Sequence, residues 1–249
     1  MSQIDPLFDF TGKVVLVTGG SRGLGLEMVR AFASRGADII VASRKLQNCE
    51  AVAAEVRTLG RRAIAYAAHV GKWNEIDQLI DAAYAEFGGI DILVNNAGMG
   101  PRMPSHDVTE QLFDSVVNLN FKGPFRLASR IGKRMFDGPG GCIINVSSSG
   151  GSMPLPEIVP YGCAKAALNA MTLSLAHEYA PRVRVNTLSA GPFLTDIAKA
   201  WTDEAREKSN NAVGHPGQPE DIVTSALFLA SPRSSYVTGA LVRCDGGTW

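Results

Sequence analysis

The length, composition and charge of the chain exclude several classes of protein. It has 249 residues, of which 45% are hydrophobic and 19% charged, and its formal net charge is +0. This length suits one domain with a full core, and the balanced charge offers no electrostatic basis for binding nucleic acid or an anionic membrane. We therefore expect one domain, residues 1–249, without a nucleic-acid or membrane partner.

Short apolar segments rich in β-branched residues alternate with amphipathic segments. The former predict strands at 13–18, 38–42, 63–67, 92–95, 142–147, 183–188 and 240–243. The latter predict helices at about 23–35, 45–59, 73–87, 111–136, 161–179 and 219–230. Strands without polar alternation are typical of a parallel sheet buried on both faces. The pattern predicts an α/β fold, a Rossmann-like doubly wound three-layer sandwich around a mostly parallel seven-stranded sheet.

The stretch 191–217 has no regular pattern and predicts a substrate lid, since long excursions late in α/β domains commonly cover a ligand. Apolar side chains in this stretch and in two other loops favour a partly apolar substrate. They are Met99, Met103, Met153, Leu155, Phe193 and Trp201. The alternative is that these residues only pack the lid.

A glycine-rich turn joins the first strand to the first helix, and residues 18–25 run Thr-Gly-Gly-Ser-Arg-Gly-Leu-Gly. This arrangement can hold a dinucleotide pyrophosphate, because the free N–H groups and dipole of the helix start favour an anion. Glycine also lets the backbone approach the phosphates closely. With 26 glycines in the chain, a plain loop is the alternative, but the strand–helix junction favours the cofactor site.

The end of the second strand favours NADP(H), with NAD(H) still possible. A carboxylate there would bind the ribose 2′-hydroxyl of NAD, but the strand ends in Ser43, Arg44 and Lys45. The planar fork of Arg44 suits a 2′-phosphate, and Arg22 in the glycine turn could reach the same group. Alternatively, Arg44 and Lys45 are a solvated helix start, although cations oppose the dipole there.

A tyrosine and a lysine lie one helical turn apart at the start of the fifth predicted helix. An ammonium such as that of Lys165 lowers the pKa of a nearby phenol, which would make Tyr161 a usable general acid/base. Three serines, Ser147, Ser148 and Ser149, end the preceding strand, at the edge where ligands bind in open α/β sheets. Serines there are also common as turn formers and caps, so both roles stay open.

Four motifs occur in a fixed order along nearly the whole chain. They are Thr18-Gly19…Gly23-Leu24-Gly25, Asn95-Asn96-Ala97-Gly98, the set Ser148, Tyr161 and Lys165, and the closing Asp245-Gly246-Gly247. Together they resemble the short-chain dehydrogenase/reductase family. The resemblance implies an NADP(H)-dependent oxidoreductase that interconverts a ketone and a secondary alcohol by hydride transfer. The alternatives are an NAD(H)-linked sugar-acid or alcohol dehydrogenase, a β-ketoacyl reductase, and a nucleotide-binding protein without catalysis.

The resemblance also assigns catalytic roles. Ser148 and Tyr161 would bind the substrate oxygen, with Tyr161 as the proton donor. Lys165 would bind the nicotinamide ribose and lower the pKa of Tyr161. Asn120 would hold a water that links Lys165 to solvent; Asn118 is the other candidate, but motif spacing favours Asn120. Among the three serines, the resemblance implies Ser148, because twelve residues separate it from Tyr161, as in the family.

Cofactor contacts are implied at many positions, and the chain departs from the family at two of them. The implied contacts are Gly19, Ser21, Arg22, Gly23, Leu24, Gly25, Ser43, Arg44, His69, Val70, Asn96, Ala97, Gly98, Tyr161, Lys165, Phe193 and Thr195. His69 stands where the family has Asp or Asn beside adenine; it could bind adenine through a ring nitrogen or be an exposed loop histidine. Ala-Gly-Pro at 190–192 replaces the family's Pro-Gly just before the implied carboxamide contacts of Phe193 and Thr195.

Assembly and compartment can also be predicted. The helix 161–179 is apolar beyond one face, which predicts a second buried surface, and Trp249 suits an interface anchor. Since most members of the family are tetramers, we expect a homotetramer. The cysteines, Cys49, Cys142, Cys163 and Cys244, show neither close pairing nor metal spacing, and the N-terminus lacks a signal pattern. We therefore expect reduced thiols, no metal and a cytoplasmic protein.

Overall fold

Seven strands form one parallel sheet in the order β3-β2-β1-β4-β5-β6-β7. The computed structural model describes residues 4–196, 198 and 201–248. The strands are β1 (Val14–Thr18), β2 (Asp38–Ser43), β3 (Ala63–Ala67), β4 (Ile92–Asn95), β5 (Gly141–Ser148), β6 (Val183–Ala190) and β7 (Leu241–Cys244). The helices are α1 (Gly23–Ala33), α2 (Leu46–Thr58), α3 (Trp73–Phe87), α4 (Glu110–Val117), α5 (Gly123–Asp137), α6 (Val159–Glu178), α7 (Asp203–Glu207) and α8 (Val223–Ala230).

The sheet is buried on both faces, which confirms the doubly wound sandwich. All five residues of β1 are buried. Val15 and Val17 point into one core, which also holds Phe32 of α1, whereas Leu16 packs into a second core with Ile131 of α5. Each strand pairing is parallel. In the described part of the chain, no helix has the length and apolarity needed to cross a bilayer.

One predicted helix, 111–136, is divided in the structure. A π-helical turn, Asn118–Lys122, separates α4 from α5. One local and one long-range feature explain the break. Pro124 has no N–H to donate to the carbonyl of Asn120, its α-helical partner. A Cβ on Gly123 would lie 1.7 Å from the carbonyl oxygen of Val70, so α5 starts in direct contact with the loop after β3.

The order of the strands creates the crevice in which a ligand can bind. β1 lies between β2 and β4, although β2 and β3 separate β1 from β4 along the chain. The connections after β1 and β4 therefore run to opposite sides of the sheet, and ligands of such folds bind at this reversal point. The glycine turn follows β1, residues 95–98 end β4 and begin its loop, and Ser148 ends β5.

The predicted lid, 191–217, is closed at its base. The Gly217 N–H donates to the Pro192 carbonyl at 2.9 Å, and the Leu194 N–H donates to the Gly217 carbonyl at 2.9 Å. Positions 197, 199 and 200 of this stretch lie outside the described residues, as does Trp249.

Candidate active site

The glycine turn is shaped by close backbone contacts. Gly19 and Gly23 have φ angles of +66° and +53°, which L side chains rarely adopt. A Cβ on Gly25 would lie 2.3 Å from the Gly19 carbonyl oxygen. α1 starts at Gly23 without a side-chain cap from Arg22, so the N–H groups of its first turn suit an anion. Ser21 is half-buried in the turn, and Leu24 packs partly against the core.

Hydrogen bonds join this turn to the loop after β4. The Thr18 hydroxyl accepts from the N–H groups of Asn96 (3.0 Å) and Ala97 (3.1 Å). The Asn96 amide donates to the Thr18 carbonyl at 2.9 Å. The predicted positions 96–98 therefore lie beside the glycine turn, and the residues present can form a cradle for a dinucleotide.

The two cations predicted to bind a 2′-phosphate differ in their surroundings. Arg44 follows β2 and is exposed, and among the described residues it has no ion-pair partner. Ser43, the last residue of β2, is half-buried beside it. Arg22 donates from Nη1 to Asp196 at 2.9 Å, an ion pair between the glycine turn and the lid segment. Thr195 is also close, since its methyl group lies 3.3 Å from the position of a Cβ on Gly23.

His69 and Val70 lie in an ordered loop after β3. His69 is half-buried, so it is not a fully exposed loop histidine. Its Nδ1 accepts a hydrogen bond from the Gly71 N–H at 3.1 Å. The Val70 side chain is buried in the core, as is the side chain of Phe193, so both can offer a ligand little more than backbone.

Ser148, Tyr161 and Lys165 come together at the carboxyl edge of the sheet. The side chain of Ser148 lies close enough to that of Tyr161 to influence the pKa of the phenol, and its Oγ accepts a hydrogen bond from the Gly150 N–H at 3.1 Å. Nζ of Lys165 lies 5.7 Å from the centre of the Tyr161 ring and donates to the carbonyl of Val146 at 2.8 Å. Ser147 instead points inward and donates to the carbonyl of Lys165 at 3.3 Å, which agrees with the choice of Ser148.

The pKa of Tyr161 is shifted in the direction opposite to that predicted. Burial raises the pKa of Tyr161, and the hydrogen bond from Ser148 lowers it by less. Burial also lowers the pKa of Lys165 to about 8. The prediction that Lys165 lowers the pKa of Tyr161 was wrong for the protein's own groups. Burial of the phenol dominates, and the ammonium of Lys165 lies beside the ring and donates to the carbonyl of Val146.

Asn120 is fully buried in the π-helical turn. Its amide nitrogen donates to the carbonyls of Met99 (2.8 Å) and Val116 (2.9 Å), and its Oδ1 accepts from the Met99 N–H at 3.3 Å. A Cβ on Gly98 would lie 2.8 Å from this Oδ1 and 3.6 Å from Nζ of Lys165. Asn120 is therefore next to the lysine. Asn118 instead lies against the loop that holds His69, with its Cβ 3.5 Å from the position of a Cβ on Gly71.

Two contacts at the site were not predicted. A Cβ on Gly100 would lie 3.1–3.4 Å from atoms of the Tyr161 ring, so this glycine packs directly against the tyrosine ring. Arg102 donates from Nη2 to Glu157 at 2.8 Å. Glu157 has a φ of +66°, the sole positive value among the described non-glycine residues, and its carbonyl accepts from the Met103 N–H at 2.6 Å. No local pattern indicates such pairings between loops.

The arrangement agrees with the known proteins that this chain resembles. Residues 13–206 match the family described as short chain dehydrogenase. The chain belongs to the short-chain dehydrogenase/reductase family. Dehydrogenase/reductase SDR family member 4 of Homo sapiens is 37% identical, covering 100% of this chain and 90% of the relative. D-threitol dehydrogenase of Mycolicibacterium smegmatis is 35% identical, covering 98% of this chain and 96% of the relative.

Solved structures of short-chain dehydrogenases/reductases have the same fold. A short-chain type enzyme from Mycobacterium marinum has a TM-score of 0.92 at 33% identity, covering 98% of each chain. A 7α-hydroxysteroid dehydrogenase complexed with NADH and 7-oxo glycochenodeoxycholic acid has a TM-score of 0.93 at 30% identity, covering 97% of this chain and 96% of that one. The chain is thus an oxidoreductase of a family that acts on CH–OH groups with a nicotinamide dinucleotide.

Proposed function

We propose that this enzyme interconverts a ketone and a secondary alcohol by hydride transfer with NADP(H), as a carbonyl reductase or alcohol dehydrogenase. The observation that carries the proposal is the position of the buried ammonium of Lys165, 5.7 Å from the centre of the Tyr161 ring, with Ser148 close enough to influence the phenol. The site lies at the carboxyl edge of the sheet, where ligands of such folds bind. Because Ser148, Tyr161, Lys165 and Asn120 are all present, the geometry favours catalysis over nucleotide binding alone.

Each side chain has a distinct task in the proposed reaction. The hydroxyls of Ser148 and Tyr161 bind the carbonyl oxygen, and Tyr161 donates its proton to that oxygen during reduction. A raised pKa keeps the phenol protonated at neutral pH, which suits a proton donor. Lys165, with a pKa of about 8, is mostly charged at pH 7 and stabilises the phenolate that remains. When bound, the dinucleotide supplies or accepts the hydride.

Asn120 would connect Lys165 to solvent. Its side chain is held by the backbone of Met99 and Val116. The main-chain carbonyl of Asn120 cannot accept the usual α-helical hydrogen bond, because residue 124 is a proline and has no N–H. We infer that this carbonyl binds the water that returns a proton to Lys165.

The choice of NADP(H) rests on Arg44. It is an exposed cation directly after β2, and a guanidinium can bind a phosphate through two parallel hydrogen bonds. Arg22 would bind the same phosphate and give up its ion pair with Asp196. NAD(H) is the alternative cofactor, since the 7α-hydroxysteroid dehydrogenase of similar structure was solved with NADH.

The loops around Tyr161 favour a partly apolar substrate. Met99, Met103, Met153 and Leu155 are half-buried there, and apolar walls with few polar groups are typical of small-molecule sites. A 3beta-hydroxysteroid dehydrogenase of Eggerthella lenta is 37% identical to this chain, which agrees with such a substrate. The D-threitol dehydrogenase of similar sequence favours a polyol instead. We propose one catalytic domain in which residues 191–217 cover the substrate.

We further propose a cytoplasmic homotetramer. Large apolar side chains are exposed on α4, α5 and α6, namely Phe113, Phe125, Val159 and Leu173, at 40–52% of their surface. Phe113 and Val159 line one groove, and exposed apolar groups on neighbouring helices are typical of a surface covered by another subunit.

The function is tested with Tyr161→Phe, which keeps the ring and removes the proton donor. Reduction of a competent ketone, found by screening aliphatic, aromatic, sugar and thioester-linked ketones, should fall by a factor on the order of 10²–10⁴. NADPH affinity, read from its fluorescence, should barely change, because the hydroxyl faces the substrate. Near-full activity of the variant would contradict the assignment of Tyr161.

A further inference from the structure

Two loop segments meet beside the catalytic tyrosine, and each carries a single charged residue. The segment 99–103 lies in the loop after β4, and the segment 149–158 joins β5 to α6. The charged residue of the first segment is Arg102, and that of the second is Glu157. The second segment leads directly into the first turn of α6, which carries Tyr161.

The first segment passes along the tyrosine ring and is tied to the second. Gly100 packs directly against the ring of Tyr161. Further along, the Met103 N–H donates to the carbonyl of Glu157 at 2.6 Å. Glu157 adopts a φ of +66°, a strained value for a side-chain-bearing residue, and such strain is concentrated at functional sites. The backbone of Glu157 is therefore held in one position relative to the tyrosine.

The side chains of Arg102 and Glu157 form an ion pair between the two segments. Both Nε and Nη2 of Arg102 donate to Oε2 of Glu157, at 3.2 Å and 2.8 Å. These two nitrogens form an edge with which a guanidinium commonly binds a carboxylate, and Glu157 occupies that edge. The side chains remain 74% and 48% exposed, so a solute can reach both charges.

We propose that the Arg102–Glu157 pair makes the enzyme select uncharged carbonyl substrates over substrates that carry a carboxylate. A substrate carboxylate that approaches Arg102 must displace Glu157 and leave that carboxylate without its cation, which disfavours binding. An uncharged substrate meets two charges that cancel, so its binding is unaffected. The inference rests on the proposed function, because it requires that a carbonyl substrate binds beside Tyr161, and it adds the class of that substrate.

The test compares a keto acid with its own methyl ester, so that the negative charge is the main difference between the two. The probes are 4-acetylbenzoate and 6-oxoheptanoate, one rigid and one flexible, each with its ester. The readout is the ratio of kcat/KM for the acid to kcat/KM for the ester. A probe that is not reduced is measured instead as a competitive inhibitor of a ketone that is.

Three variants separate charge from structure. Glu157→Gln removes the negative charge and keeps the shape of the side chain, whereas Arg102→Gln removes the positive charge. Glu86→Gln is the matched control, because Glu86 forms a similar exposed ion pair with Arg62 at 2.8 Å. It lies in the last turn of α3, near the start of β4 and so at the opposite edge of the sheet.

We expect the unmodified enzyme to favour both esters. Glu157→Gln should shift the ratio towards the acid by about threefold to tenfold, and Arg102→Gln should shift it towards the ester by a similar factor, as expected for one charge beside the substrate. Glu86→Gln should leave the ratio within about twofold of that of the unmodified enzyme, since a distant exposed charge is screened.

An acid preferred by the unmodified enzyme would overturn the inference. So would a ratio that does not move in opposite directions in Glu157→Gln and Arg102→Gln, because loosened loops would change acid and ester together. A shift of the same size in Glu86→Gln would also overturn it. Absence of turnover with every ketone and with either cofactor would instead overturn the proposed function.

Discussion

The buried ammonium of Lys165 should lower the free energy of unfolding of the protein. Lys165 is 3% exposed, and burial lowers its pKa from 10.5 to about 8. A drop of about 2.5 pH units, at about 1.4 kcal/mol each, puts the cost of keeping this charge inside at about 3 kcal/mol at pH 7. Replacing Lys165 with Met removes the charge and fills similar space. The lost hydrogen bond to the carbonyl of Val146 offsets about 1 kcal/mol of the gain.

Lys165→Met should therefore raise the free energy of unfolding by about 2 kcal/mol at pH 7, or Tm by about 4–8 °C for a chain of this size. The advantage should depend on pH. Because the folded pKa of Lys165 lies below its unfolded value, the unfolded chain binds more protons, and the stability of the unmodified protein rises from about pH 8 to pH 10.5. At pH 10 the cost of the charge falls to about 1 kcal/mol, so the advantage of the variant should largely vanish.

Urea denaturation of both proteins at pH 7 and pH 10, without cofactor, measures these differences. Lys133→Met is the matched control, since Lys133 is exposed and pairs with Asp137 on the surface. Its effect should stay within about 0.5 kcal/mol at both pH values. A Lys165→Met variant that is no more stable than the unmodified protein at pH 7, or that keeps its full advantage at pH 10, would show that the buried charge does not have this cost.

Three further predictions concern the cofactor, the tyrosine and the assembly. NADPH should bind at least tenfold tighter than NADH, as expected for a charge-assisted hydrogen bond worth roughly 1.5–3 kcal/mol, and Arg44→Asp should reverse the preference; equal affinities in titrations of the unmodified enzyme would refute this. Gly100→Ala should lower kcat by about tenfold to a hundredfold through displacement of Tyr161, with cofactor affinity unchanged. In the control variant Gly89→Ala the added methyl group meets no atom within 4 Å, so kcat should not change. Equal kcat values for the two variants would show that Gly100 does not position Tyr161. Light scattering should report a tetramer, and a monomer at micromolar concentration would contradict the proposed assembly.

The order and bounds of most elements could be predicted because they depend on neighbours within one or two turns of chain. The predicted bounds of β3, β4 and α3 agree with the structure. α3 shows why: its apolar residues repeat at helical spacing, and Gly88 ends it with a left-handed φ of +76°. The positions of Ser148, Tyr161 and Lys165 follow in the same way, since two are one turn apart and the third ends a neighbouring strand.

Other properties of the site depend on residues far apart in the chain. The break at Asn118–Lys122 requires Gly123 to meet the carbonyl of Val70. The pKa of Tyr161 depends on how deeply the ring is buried, and the hydrogen bond from the Gly71 N–H to Nδ1 of His69 depends on how the loop after β3 folds back. Periodicity predicts which face of an element is buried, but not which charges and polar groups it meets there. Those contacts are made only when the chain is folded, and they determine the electrostatics of the site.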